Sequence, residues 1–221
     1  MEFDNIVLPA YAINLEERTD RRQHLLQQFE GKREFHLQIV SACRDENSRV
    51  GLWKSIIKVI QLAEQTEEDV ILLCEDDHTF TTSYNRDFLF KNIVEAASQG
   101  AELLSGGIGG FNHAFPITRH RYWIDAFWCS QFLILYRPIF RKILDAGFQH
   151  DDTADGMLSE ITSHKMVLYP FVSVQIDFGY SDVTVGNHHT RGLIANYFRA
   201  TSARLEKYQQ VYDSYLSKQK V

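Results

Sequence analysis

The stretch Val70-Ile71-Leu72-Leu73-Cys74-Glu75-Asp76-Asp77 decides how this chain is read. Its apolar run has the length of a strand and no polar alternation, the pattern of a strand buried on both faces. It ends in three consecutive carboxylates, with His78 next. Ligands of open α/β sheets gather beyond the carboxyl ends of strands. Three like charges on a rigid strand end repel one another unless a cation shares the place. Oxygen-rich clusters of this kind suit Mn²⁺ or Mg²⁺, ions that often arrive with a substrate's phosphates. A solvated acidic turn is the alternative, and it needs no ion.

Working outward, the segment 50–65 carries Leu52, Trp53, Ile56, Ile57, Ile60 and Ala63 at helical spacing, with Ser48 as its expected N-cap. Upstream, residues 6–15 and 35–41 read as strands flanking a helix over 16–29. Downstream, helices are expected over 84–98 and from Pro138 to about residue 146. Strands are expected over 101–104 and 166–175, strand-like runs over 123–136, and a long helix from about Leu193. Strands alternating with helices predict an α/β fold. The expectation is one domain over 1–221, with 193–221 as a C-terminal helical extension.

The 221 residues suffice for one substantial core, and 15 Phe, 10 Tyr and 3 Trp supply the bulk to fill it. A net charge of −6 argues against a nucleic-acid partner, which would leave a basic footprint. Cys43, Cys74 and Cys129 are odd in number and far apart, which makes neither a disulfide framework nor a zinc spacing. The acidic start Met1-Glu2-Phe3-Asp4-Asn5 is a poor signal peptide. No apolar run approaches the roughly 18 residues of a membrane span. A cytoplasmic protein is expected. From Arg191 onward, six Lys/Arg face two acidic residues. That basic helix would dock on the domain or in a dimer, or lie on an anionic membrane face from the inside.

Several groups could join the acids. Asn187-His188-His189 follows the last expected strand, and imidazole is a better ligand for Mn²⁺ than for Mg²⁺; either His188 or His189 would serve. Arg18 and Arg21, between the first strand and its helix, could meet a phosphate with help from the helix dipole. Gly106 to Gly110 would give backbone freedom beside a sugar, or simply form a turn. Tyr122, Trp123 and Trp128 could stack on sugars or pack in the core.

Together these residues resemble the family 25 glycosyltransferases. Ala12-Ile13-Asn14-Leu15 with Asp20-Arg21-Arg22 is similar to that family's opening motif, and the 70–77 strand to its acidic strand. Gly51-Leu52-Trp53-Lys54-Ser55 resembles a family helix, Asp155-Gly156-Met157-Leu158 a later segment, and Tyr169-Pro170 with Gln175 a late strand. The resemblance departs at Glu17, where the family has a basic residue, and at Lys54-Ser55-Ile56, which lacks a histidine.

The resemblance implies a GT-A-like nucleotide-binding domain, with a mostly parallel central sheet flanked by helices. It also implies a divalent-metal-dependent, inverting transfer from a nucleotide-sugar donor to a glycan or lipid-linked saccharide acceptor. Asp77 would be the direct metal ligand, and Glu75 would approach the ribose or the ion's water shell. Asn14, Arg18, Arg21, Ser55 and Asp76 would line the donor pocket. Asp155 is the first candidate for the base that deprotonates the acceptor, and Asp152 the second; either could equally be an N-cap. A domain of the same fold that binds a nucleotide sugar or glycan without turnover is the alternative.

Overall fold

The computed structural model describes Phe3, residues 6–179 and residues 192–218. The chain opens with β1 (Leu8–Asn14), α1 (Thr19–Phe29), β2 (Phe35–Ser41), α2 (Ser48–Gln65) and β3 (Val70–Glu75). Next come β4 (His78–Phe80), α3 (Arg86–Ser98), β5 (Leu103–Ser105), β6 (Ala114–Thr118) and β7 (Arg121–Ile124). It continues through β8 (Phe132–Tyr136), α4 (Arg137–Asp145), α5 (Ala154–Ile161), β9 (Lys165–Leu168), β10 (Ser173–Gln175) and α6 (Leu193–Lys218).

Eight strands make one sheet in the order β2-β1-β3-β8-β5-β9-β7-β6. Six run in one direction, and β8 and β7 oppose them. The α/β architecture with a mostly parallel sheet is therefore as expected.

Both faces of the sheet are covered, which explains the unbroken apolar strands. Tyr11, Ile13, Ile71, Leu73, Leu133 and Leu135 pack on one side against Trp53, Ile56, Val59 and Ile60 of α2, Ile139 and Phe140 of α4, and Leu158 of α5. Their strand neighbours Ala10, Ala12, Leu72, Cys74, Phe132 and Ile134 face Leu25 and Phe29 of α1 and Leu89, Phe90 and Ile93 of α3. The period of two thus divides every central strand between two cores. α6 lies on the first of these cores through Phe198 and Leu205. Thr201 Oγ1 donates to Gly109 O (2.8 Å) and Arg204 to Phe111 O (2.7 Å), so the helix docks on the domain.

Several boundaries moved for local reasons. α2 starts at Ser48 because Asn47 caps it, its side chain accepting the Arg49 N–H (3.0 Å). Asn85 caps α3 in the same way. The strand expected over 166–175 is two strands, β9 and β10. Pro170, which has no N–H to continue a ladder, lies between them. β10 leaves the main sheet and pairs antiparallel with β4, a strand the sequence reading did not anticipate.

The Gly106–Gly110 turn is explained by packing rather than by a ligand. A Cβ on Gly107 would lie 2.1 Å from the Ser173 carbonyl oxygen, and one on Gly110 would meet the Trp128 ring at 2.3 Å. Gly107→Ala is expected to destabilise the protein by about 3 kcal/mol, since the obstacle is backbone and cannot rotate away. Urea unfolding of the two proteins checks it. Tyr122 is wholly buried and belongs to the core. Trp123 donates its ring N–H to Ser163 O (2.7 Å).

Candidate active site

β2 and β3 flank β1 on opposite sides, so the strand order reverses beside β1. Such a switch point opens a crevice at the carboxyl ends of the strands. Register pairs Ile13 with Glu75, which places Asn14 directly beside the acidic triplet. A cleft of about 1300 Å³ opens there, lined by the end of β1, the β2–α2 loop, the triplet, Ser130, the start of α5, and the residues after β10.

The three acids do different jobs. Asp76 is a clamp: its carboxylate accepts from Asn14 Nδ2 (2.8 Å) and from Arg21 Nη1 (3.0 Å), tying β3 to β1 and α1. Asp77, 6% exposed, accepts from Gln175 Nε2 (2.9 Å) and lies 3.7 Å from Arg21 Nη1. Its other oxygen, Oδ1, is buried and has no hydrogen-bond partner among the described residues. Glu75 accepts from the Ser130 hydroxyl (2.6 Å) and keeps an edge toward the cleft.

Burial comes first, and then the charges of Asp76 and Asp155, in pushing the Glu75 carboxyl up to about 7; the Ser130 hydrogen bond and Arg21 oppose the shift. Burial, followed by the charges of Glu75 and Asp76, raises Asp77 well above the ordinary carboxylate range. Among the described residues, Arg21 is a cation that acts on both carboxylates, and burial outweighs it.

Asp155 stands at the start of α5. Its Oδ2 accepts the Cys129 N–H (3.0 Å) and its Oδ1 the Gly156 N–H (2.9 Å). Cys129 holds a left-handed backbone (φ 75°), a costly conformation for a side chain that the sequence reading did not foresee. Asp152 is set back from the cleft lining: its carboxylate accepts the Gln149 N–H (2.6 Å) and shapes the turn before α5. Of the two, Asp155 is the one that lines the cleft.

Of the other expected residues, Arg18 lines the cleft. Ser55 also borders it, but its hydroxyl donates to Gly51 O (2.7 Å) and accepts the Cys43 N–H (2.8 Å), so it pins the β2–α2 loop. Glu17 pairs with Arg44 (2.6 Å) at the exposed rim. His188 and His189 lie outside the described residues. His78, though next to the acids in sequence, points away from them into an aromatic nest.

Does this donor set suit a divalent ion? Among the described residues, no three His, Cys, Asp or Glu side chains form a ready-made cage. Mg²⁺ and Mn²⁺ sites on nucleotide substrates need only one or two carboxylates, with phosphate oxygens and water completing the shell. The buried Asp77 oxygen and the raised Glu75 carboxyl fit that requirement. Ser130 and Gln175 complete the site. The sequence offered a hint of Gln175 and none of Ser130.

No protein-family model matches the chain. No curated protein matches it in sequence. The family 25 resemblance accordingly rests on its motifs alone. Among solved structures, A197 from STIV is similar over 80% of this chain and 87% of that one, with a TM-score of 0.50 and 13% identity. That likeness is one of fold. A glycosyltransferase involved in the glycosylation of the major capsid of PBCV-1 has a TM-score of 0.41 at 8% identity, covering 62% of this chain and 63% of that one. Apo UDP-glucose pyrophosphorylase has a TM-score of 0.48 at 10% identity, covering 92% and 82%. Both are too remote in geometry to bear on this chain's chemistry. No helix among the described residues is long and apolar enough to cross a membrane.

Proposed function

We propose that this chain is a divalent-cation-dependent, inverting glycosyltransferase that moves a sugar from a nucleoside-diphosphate sugar to a glycan or glycoconjugate acceptor. The observation that carries this reading is the meeting, at one switch-point cleft, of two carboxylates whose ionisation burial opposes, an arginine and an opposing aspartate. Glu75 and Asp77 would hold Mn²⁺ or Mg²⁺. That ion, when bound, would neutralise charge developing on the departing nucleoside diphosphate.

The chain's own side chains supply the rest. Arg18 and Arg21 offer forked donors to phosphate oxygens. Asn14 and Asp76 fix the floor on which those arginines stand, and their mutual hydrogen bond keeps it rigid. Asp155, oriented by the Cys129 and Gly156 N–H groups, would take the proton from the acceptor hydroxyl. A lipid-linked acceptor, and a cytoplasmic site at the inner face of a membrane, would suit the basic α6.

The test is a thermal-shift and calorimetry screen of UDP, GDP, CDP and ADP, and of their sugar conjugates, with and without Mn²⁺. One base should stabilise the protein only when metal is present, and Asp77→Asn should lose that response. Hydrolysis or transfer of the matching nucleotide sugar then distinguishes an enzyme from a binding domain. If no nucleoside diphosphate binds with Mn²⁺ present, the reading is wrong.

A further inference from the structure

We propose that Arg21 is a resident counter-ion, which holds the acid site together before a divalent ion arrives and is then handed to the donor's diphosphate. The inference rests on the metal-dependent reading above and adds a role that reading does not require. Among the described residues, the ion pairs that reach the triplet both come from Arg21, at 3.0 Å to Asp76 and 3.7 Å to Asp77. Its side chain is only 13% exposed. The Phe178 ring lies 4.9 Å from the guanidinium carbon. The same residue lines the cleft, with Asp76 and Asp77 among its partners.

Two further contacts make a handover feasible. Asp76 keeps the Asn14 amide at 2.8 Å when the guanidinium leaves, and Asp77 keeps the Gln175 amide at 2.9 Å. Each acid therefore has an amide partner besides Arg21. A guanidinium so close to Asp77 must repel a dication sharing that carboxylate. A diphosphate offers the fork a new bidentate partner, so metal and diphosphate help each other bind by removing one shared competitor.

Arg21 variants separate these effects. Mn²⁺ alone is titrated into the parent, Arg21→Gln and Arg21→Lys, with free Mn²⁺ read by electron paramagnetic resonance. The four nucleoside diphosphates are then titrated with Mn²⁺ present. Arg21→Gln is expected to bind Mn²⁺ alone about tenfold more tightly and the diphosphate about tenfold more weakly. Arg21→Lys, which keeps the charge and protects against a folding failure, should move less in both directions. Opposite signs on the two ligands cannot come from general damage to the site. Equal Mn²⁺ affinity in parent and Arg21→Gln would overturn the counter-ion role while leaving the metal site standing. A loss of both affinities together would overturn it in favour of a structural role. Absence of Mn²⁺ binding in all three proteins would remove the metal-dependent reading, and this inference with it.

Discussion

Glu75→Gln is expected to leave a metal-free protein about 2 kcal/mol more stable than the parent at pH 8, yet about a thousandfold slower in turnover. The Glu75 carboxyl titrates near 7 in the folded protein against an ordinary 4.5, because burial and the charges of Asp76 and Asp155 oppose its ionisation. A raised folded value means that the folded state holds the proton more tightly. The stability this lends is complete below pH 4.5 and drains away as pH rises through about 7. The full span corresponds to about 3 kcal/mol; the edge Glu75 keeps toward the cleft lets water reduce that to about 2. Glutamine keeps an oxygen for the Ser130 hydroxyl and has no charge to bury. Urea unfolding at pH 4 and pH 8 should therefore show matched proteins in acid and a more stable variant in base. Mn²⁺ should close the gap at pH 8 by supplying the parent with its missing charge. A gap of the same size at both pH values would mean that Glu75 carries no ionisation strain and is a weak candidate for holding a cation.

The acids were legible in sequence because β3 is buried on both faces, so its apolar run stands out and its end must open somewhere. Asn14 was named through the family 25 resemblance, whose opening motif its segment is similar to; in the fold it ends β1 beside the acids because β1 and β3 run parallel. Ser130 and Cys129 were not. They precede β8, which runs against β3, so their position beside Glu75 depends on a strand direction that periodicity does not encode. Asp155 ranked ahead of Asp152 only through the family resemblance, since either is a carboxylate near the start of a helix. Only the fold shows that Asp155 reaches the Cys129 N–H while Asp152 turns back to Gln149. β4 and β6 escaped notice because strands of three and five residues carry too little alternation to be distinguished from loop. β4 matters most of these, since its pairing with β10 delivers Gln175 to Asp77.

His78 sets the opposite limit on stability, and His78→Gln is expected to remove it. The ring is wholly buried, with Nδ1 2.8 Å from Ser173 Oγ and the Phe80 and Phe132 rings at 4.4 and 5.0 Å. Burial first, then the charges of His24 and Lys32, lowers its value from 6.5 to about 3. A lowered folded value on a base means that the unfolded chain takes the proton first. The contribution is intact above pH 6.5 and is lost progressively as pH falls toward about 3. Between pH 7 and pH 4 the parent should therefore lose about 3 kcal/mol more than the variant. The variant starts lower at pH 7 by about 1–2 kcal/mol, because an amide packs less well than a ring among phenylalanines. The two curves of unfolding free energy against pH should converge and cross at about pH 6 to 5. Other carboxylates make both proteins weaker in acid, so the difference between the curves is the quantity that isolates His78. Parallel curves would show that the ring protonates without leaving its nest. Since Glu75 and His78 act in opposite directions between pH 4.5 and 6.5, the metal-free protein should be most stable in that window. Mn²⁺ should extend the plateau upward from there and leave the acid side unchanged, because His78 faces away from the carboxylates that would hold the ion.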